Sequence, residues 1–339
     1  MKRVVITGER QAELVDAPDL KAKESWAVVK IHAIPMCTEY KAWVGGWKIE
    51  HLGHEAAGEV VEVAQPCRVK VGDRVVVQPS IGCGKCRYCV AGDYIHCQDA
   101  PDFAALHGSA EGSATMAQYL LKQDWLLSPI PDGVSYEKAG LALCGLGPSF
   151  GAFDMMNVNA FDTVLITGLG PVGLGGVVNA RFRGARGIAV DSVPYRADLA
   201  KRMGAEAVID PRSETALQDI LALTENGRGV DKALDCSGTV AAERMCIDAL
   251  RRKGKVAYVG ECAEGPAIKV SDDMIRRGLW ILGSWHYNLS LYRPIMQVVN
   301  ESPVIDLLIS HRFPMSEIQK AFEVSASHDT AKIILDPWS

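Results

Sequence analysis

The sequence predicts a two-part α/β protein, a β-rich domain followed by a doubly wound parallel sheet. Three observations carry this: a change of hydrophobic rhythm near Asp162, a glycine fingerprint just beyond it, and four cysteines within fifteen residues of the first part.

Over residues 1–146 the short β-branched runs 3–7, 26–31, 58–63 and 74–77 are separated by turns such as Val71-Gly72-Asp73, the pattern of a rolled antiparallel domain. From Asp162 the rhythm becomes strand, helix, strand. Runs 163–167, 187–191, 207–210, 230–235, 255–260 and 279–283 read as strands, and 172–182, 195–203, 214–223, 240–250 and 272–276 as the helices between them. Strands joined through helices lie parallel, so this half, 147–285, reads as a doubly wound sheet. The remaining residues, 286–339, are too few for a domain and are expected to return to the first one.

An apolar content of 48 % and a charged content of 23 % describe an ordinary globular chain. A net charge of −5 with no basic tract excludes an electrostatic footprint for nucleic acid, and no segment has the length or composition for a membrane. The expected partner is a small molecule, and the expected compartment is the cytoplasm.

Cys83, Cys86, Cys89 and Cys97 stand in the run from Gly82 to Cys97. Two residues between thiolates allow one turn to aim two sulfurs at a single ion, and four sulfurs close a tetrahedral zinc shell with no open position. The alternative, a pair of disulfides, fits a reducing compartment poorly. The expected zinc is therefore structural.

In the second half Gly168-Leu-Gly170-Pro171-Val172-Gly173 follows an apolar strand and opens a helix. Gly168 permits the tight turn, Gly170 admits a pyrophosphate to the backbone, and Gly173 lets helix pack on strand. Asp191, eighteen residues after Gly173, ends the next strand, where a carboxylate accepts hydrogen bonds from ribose hydroxyls and repels a 2′-phosphate. Arg196 reads equally as a second contact to the ribose or as a solvated helix residue.

Cys37, His54 and Glu55 in Gly53-His-Glu-Ala-Ala-Gly58, and Cys144 before a glycine-rich run, are individually unremarkable. With the four-cysteine lobe and the dinucleotide fingerprint, they make the whole chain resemble the zinc-dependent medium-chain alcohol dehydrogenases, nearest to the threonine and sorbitol (polyol) members. The resemblance implies a GroES-like catalytic domain over 1–146 with its zinc lobe at 82–97, a Rossmann NAD-binding domain over 147–285, and two zinc ions per chain. It makes Cys37, His54 and Cys144 the ligands of a catalytic zinc and Glu55 an acidic neighbour of that metal. It also places Gly168, Gly170, Pro171, Val172, Gly173, Asp191 and Arg196 at the NAD. The implied reaction passes hydride between NAD and a secondary alcohol, polyol or hydroxy-amino acid. The same chemistry run backwards would reduce ketones or aldehydes, and a nucleotide-binding protein without turnover is the other alternative. A homodimer or homotetramer is implied too, with 278–283 as a sheet edge.

One stretch departs from the family. Members usually read Cys-x-Ser/Thr-Asp-x-His, whose hydroxyl and histidine relay the substrate proton, whereas this chain reads Cys37-Thr-Glu-Tyr-Lys-Ala42. Either Thr38 is the relay hydroxyl and Glu39 an acid behind the metal, or Glu39 occupies the hydroxyl position. No histidine follows in either alignment.

Overall fold

A computed structural model describes residues 1–339. The chain divides into two compact units, one of Met1–Cys144, Asn288–Asn300 and Ile309–Ser339, the other of Gly145–Tyr287 and Glu301–Leu308.

The first unit is built around Trp26–Pro35, a ten-residue strand rich in valine and isoleucine that is buried along most of its length. It pairs antiparallel with Ala56–Glu62, Tyr119–Gln123 and Lys332–Asp336, and runs directly into Cys37. Arg74–Val77 and Leu127–Pro129 extend the sheet antiparallel on one side. On the other side Ile309–Pro314, from the returning residues, lies parallel to Lys332–Asp336. A parallel pair needs a crossover, and helix Ile318–Ala326 supplies it. Phe322 of that helix stacks on Trp43 with ring centroids 5.7 Å apart and anchors it to the core. The C-terminal residues thus complete the sheet that holds the first candidate ligand, while Glu301–Leu308 stays with the second unit.

The second unit carries six parallel strands in the order Ala207–Ile209, Arg186–Val190, Thr163–Thr167, Val230–Asp235, Leu250–Tyr258, Trp280–Gly283. Thr163–Thr167 is buried at every residue, as a central strand with both faces covered must be. Two details differ from the expectation. The fifth strand begins at Leu250, with Lys253 at a positive φ of 64° and a register shift opposite Val230/Lys232. The turn over Val270–Ile275 is wound as a π-helix, closed by the Asp273 carboxylate, which accepts from Lys269 N and from Arg244. No helix is long and apolar enough to cross a membrane.

Candidate active site, metal lobe and nucleotide loop

The lobe folds around sulfur. Cys83 and Cys89 Sγ are 3.9 Å apart, as are Cys86 and Cys97 Sγ, and all four ligand atoms lie within 4.8 Å of one another. A disulfide needs about 2.05 Å. A tetrahedron with zinc–sulfur bonds of about 2.3 Å has edges of about 3.8 Å, so the cage fits the ion. Backbone amides of Cys83 and Cys86 donate to Cys97 and Cys83 Sγ at 3.3 and 3.2 Å. Hydrogen bonds from the Lys85 and Cys86 amides hold the Cys83 thiol down at about 7, while burial pushes Cys89 up to about 12. Asn288 ties the lobe to the returning chain, donating to Ala91 O and Asp93 Oδ1 at 2.8 and 2.7 Å.

A second cluster joins Cys37, His54, Glu55 and Cys144, whose ligand atoms again lie within 4.8 Å of one another. Cys37 comes from the turn after the long strand, His54 and Glu55 from the approach to Ala56–Glu62, and Cys144 from the turns after helix Tyr136–Gly140. Gly53 makes the second placement possible: its φ is +94°, and a Cβ there would stand 2.9 Å from Met116 N. Cys144 Sγ is 3.3 Å from His54 Nε2, and Cys144 N donates to Glu55 Oε2 at 3.1 Å.

Behind the histidine stands Glu39, 8 % exposed, at the start of helix Glu39–Gly45. Its Oε2 accepts from Cys37 N at 2.7 Å, and its Oε1 is 3.0 Å from His54 Nδ1. One carboxylate therefore fixes a ligand's backbone and a ligand's ring. A carboxylate at Nδ1 favours a proton on that nitrogen, so that Nε2 is the one left to give its lone pair to a metal. Thr38 caps the helix in position only: its hydroxyl makes no capping bond, and the residue is exposed.

The electrostatics of the cluster suit a cation. A hydrogen bond from Cys144 drives the Cys37 thiol well below its usual range, and the same bond together with burial raises Cys144. Burial pulls His54 down, but hydrogen bonds with Cys37 and Glu39 and the nearby carboxylates outweigh it and hold the imidazole at about 11. Two thiols and an imidazole are the donors a borderline-soft ion such as zinc prefers, and a cation entering must displace their protons. The donor set fits zinc.

Sequence reasoning missed Lys332. It lies wholly buried in Lys332–Asp336, and its Nζ stands 2.5 Å from Glu55 Oε1. The available signal was a lone charge inside the apolar run Ala331-Lys-Ile-Ile-Leu335. Nothing in the sequence named its partner, 277 residues away. Phe103 packs edge-on against Trp26 at 5.4 Å, within the core of the first unit.

In the second unit Gly170 caps helix Pro171–Phe182, with Pro171 at a position whose missing N–H costs nothing. A Cβ on Gly173 would stand 1.8 Å from Gly168 O, so the helix can meet the strand only through glycine there. Asp191 follows Arg186–Val190, and its carboxylate accepts from Leu169 N at 2.6 Å and from Val193 N at 2.8 Å. These bonds use one lone pair on each oxygen and leave the others for a ligand. Arg196 lies half-buried on helix Pro194–Met203.

Comparison with known proteins agrees with these two halves. Residues 23–132 match the family model described as an alcohol dehydrogenase GroES-like domain, and residues 171–301 match the zinc-binding dehydrogenase model. The uncharacterised zinc-type alcohol dehydrogenase-like protein YphC of Escherichia coli (strain K12) is 33 % identical over 84 % of this chain and 80 % of its own length. The sorbitol dehydrogenase of Bacillus subtilis (strain 168) is 35 % identical over 77 % of this chain and 75 % of its own. Among solved structures, the alcohol dehydrogenase TADH from Thermus sp. ATN1 superposes with a TM-score of 0.88 over 99 % of both chains at 23 % identity, a likeness of fold.

Proposed function

The chain belongs to the zinc-dependent medium-chain alcohol dehydrogenases, and on that premise we propose that it oxidises a secondary alcohol, polyol or hydroxy-amino acid with NAD as hydride acceptor. The observation that carries this reading is the convergence of Cys37 Sγ, His54 Nε2 and Cys144 Sγ in one cluster, with Glu39 gripping the far side of the histidine.

Cys37, His54 and Cys144 would hold a catalytic zinc, and Cys83, Cys86, Cys89 and Cys97 a structural one. The catalytic ion, when bound, supplies Lewis acidity that eases deprotonation of an alcohol and stabilises charge on its oxygen. NAD, when bound, would supply the hydride acceptor. The chain supplies the rest. Gly168, Gly170, Val172 and Gly173 present backbone N–H groups to the diphosphate, and Pro171, which has none, opens the helix whose N-terminus faces it. Asp191 takes the ribose hydroxyls and, with no basic residue at Ser192 or Val193, disfavours a 2′-phosphate; Arg196 lies on the helix that follows. Glu39 keeps His54 in register. Both Glu39 oxygens are engaged, which leaves the exposed Thr38 hydroxyl as the group that passes the substrate proton to solvent.

A panel of polyols, hydroxy-amino acids and simple alcohols, assayed for NADH formation, tests this. The expected result is turnover of at least one class with kcat/KM for NAD well above that for NADP. Equal values for the two cofactors refute the role of Asp191, and absence of turnover across the panel in zinc-loaded protein refutes the dehydrogenase reading.

A further inference from the structure

Lys332 and Glu55 form an ion pair that the proposed chemistry does not require. Both residues are 0 % exposed, and their charged atoms lie 2.5 Å apart. Removing two charges from water is costly, and a buried pair is retained without net gain in stability in many proteins. Its position suggests what it does here. Glu55 Oε1, the oxygen that Lys332 holds, is also the oxygen 3.9 Å from His54 Nε2, and it belongs to the same ligand cluster as Cys37 and Cys144. The other oxygen is held by Cys144 N. Glu55 is therefore a fourth donor within reach of a metal that needs an open position for substrate, and each of its oxygens is pinned to something else.

The charges point the same way. Two thiolates and a neutral imidazole around a divalent ion sum to zero, and Glu55 with Lys332 sums to zero again. Without Lys332, Glu55 becomes a buried carboxylate with no counter-charge. The divalent ion is then the nearest cation it can turn to.

Resting on the assignment of Cys37, His54 and Cys144 as metal ligands, we infer that Lys332 is a positioning residue that holds Glu55 off the metal and so keeps the substrate's coordination position open. It works through Glu55 and touches neither substrate nor cofactor. Two consequences separate this from a merely structural role: loss of Lys332 closes the site to small ligands while tightening the hold on the metal, and removal of Glu55 in the same chain reverses both.

The experiment uses full-length protein loaded with cobalt, with imidazole as the probe of the open position and the visible cobalt spectrum as readout, beside metal release to a chelator. Wild-type protein, Lys332→Met and the double variant Lys332→Met/Glu55→Gln are compared. The expected result is a loss of imidazole affinity of tenfold or more in Lys332→Met with slower cobalt release, and recovery of the wild-type imidazole response in the double variant. Wild-type affinity in Lys332→Met overturns the inference. Equal loss in the single and double variants overturns it too, because the effect would then not pass through Glu55. If Lys332→Met fails to fold, Lys332→Gln, which keeps a polar partner for Glu55 and loses the charge, takes its place against Lys332→Gln/Glu55→Gln, with the same outcomes deciding. Failure of wild-type protein to take up a second cobalt that responds to imidazole would instead refute the ligand assignment beneath both.

Discussion

Glu39 holds a ligand backbone and a ligand ring with one carboxylate, while Thr38 beside it offers an exposed hydroxyl and no internal bond. Adjacent residues thus have separable duties, and their substitutions should fail differently. Thr38→Val is expected to lower kcat by about 10²–10⁴-fold at unchanged zinc content, the usual contribution of a proton-transfer group. Glu39→Gln keeps the size and loses the charge behind His54; it should weaken metal affinity by about 10–100-fold with a smaller effect on kcat in zinc-saturated protein. Zinc content and the pH profile of kcat at saturating NAD check both. If Glu39→Gln instead slows turnover by two decades at full zinc, Glu39 is the proton carrier and Thr38 is not.

Strand Tyr119–Gln123 shows how an element can carry a cost for position. Gln123 at its end exchanges hydrogen bonds with Gly82 N and O, and so fastens the metal lobe to the sheet. Its neighbour Lys122 is buried, donates to Ser80 O, and is pushed down by burial to about 7. The unfolded chain holds that proton up to the ordinary lysine range near 10.5, so between pH 7 and 10.5 it binds more protons than the folded chain. Stability contributed at this site therefore rises with pH across that window, by up to about 1.4 kcal/mol per pH unit, and is flat below it. Denaturant melts of wild type and Lys122→Met from pH 6 to 10 should diverge in wild type's favour only above pH 7. Parallel curves would show that Lys122 stays charged in the fold.

At the scale of the molecule the two ligand sets share no residue and are built differently. The lobe takes all four sulfurs from residues 83–97, whereas the second cluster draws on residues 37, 54, 55 and 144. Elemental analysis is expected to give a zinc-to-chain ratio near two. A ratio near one with activity retained would remove zinc from the Cys37 cluster. Cys97→Ser should cost folding and solubility more than turnover, because a closed sulfur cage contributes folding free energy directly; soluble and fully active Cys97→Ser protein would count against a metal in the lobe.

Much of what is local in the chain was legible in its sequence, although the early start of strand Leu250–Tyr258 and the π-wound turn Val270–Ile275 were not. The cysteine spacing foretold the gathering of Cys83, Cys86, Cys89 and Cys97, because thiols three residues apart, with a fourth one short turn further on, can converge within a single loop. Gly168, Gly170 and Gly173 foretold the tight turn between strand Thr163–Thr167 and helix Pro171–Phe182, because steric demands inside one turn are written in consecutive residues, and alternation of strands and helices foretold the parallel sheet. The β-rich unit was legible as strands but not as a closed arrangement. Its parallel pair forms only once residues near the C-terminus are brought beside Trp26–Pro35. The same long-range closure set the environment of the second cluster. That the Glu39 carboxylate turns toward His54 Nδ1 depended on the folded position of both, and the partner of Glu55 depended on a strand almost three hundred residues downstream. Charge pairs of that kind are selected by distance in the folded chain, and periodicity carries no record of them.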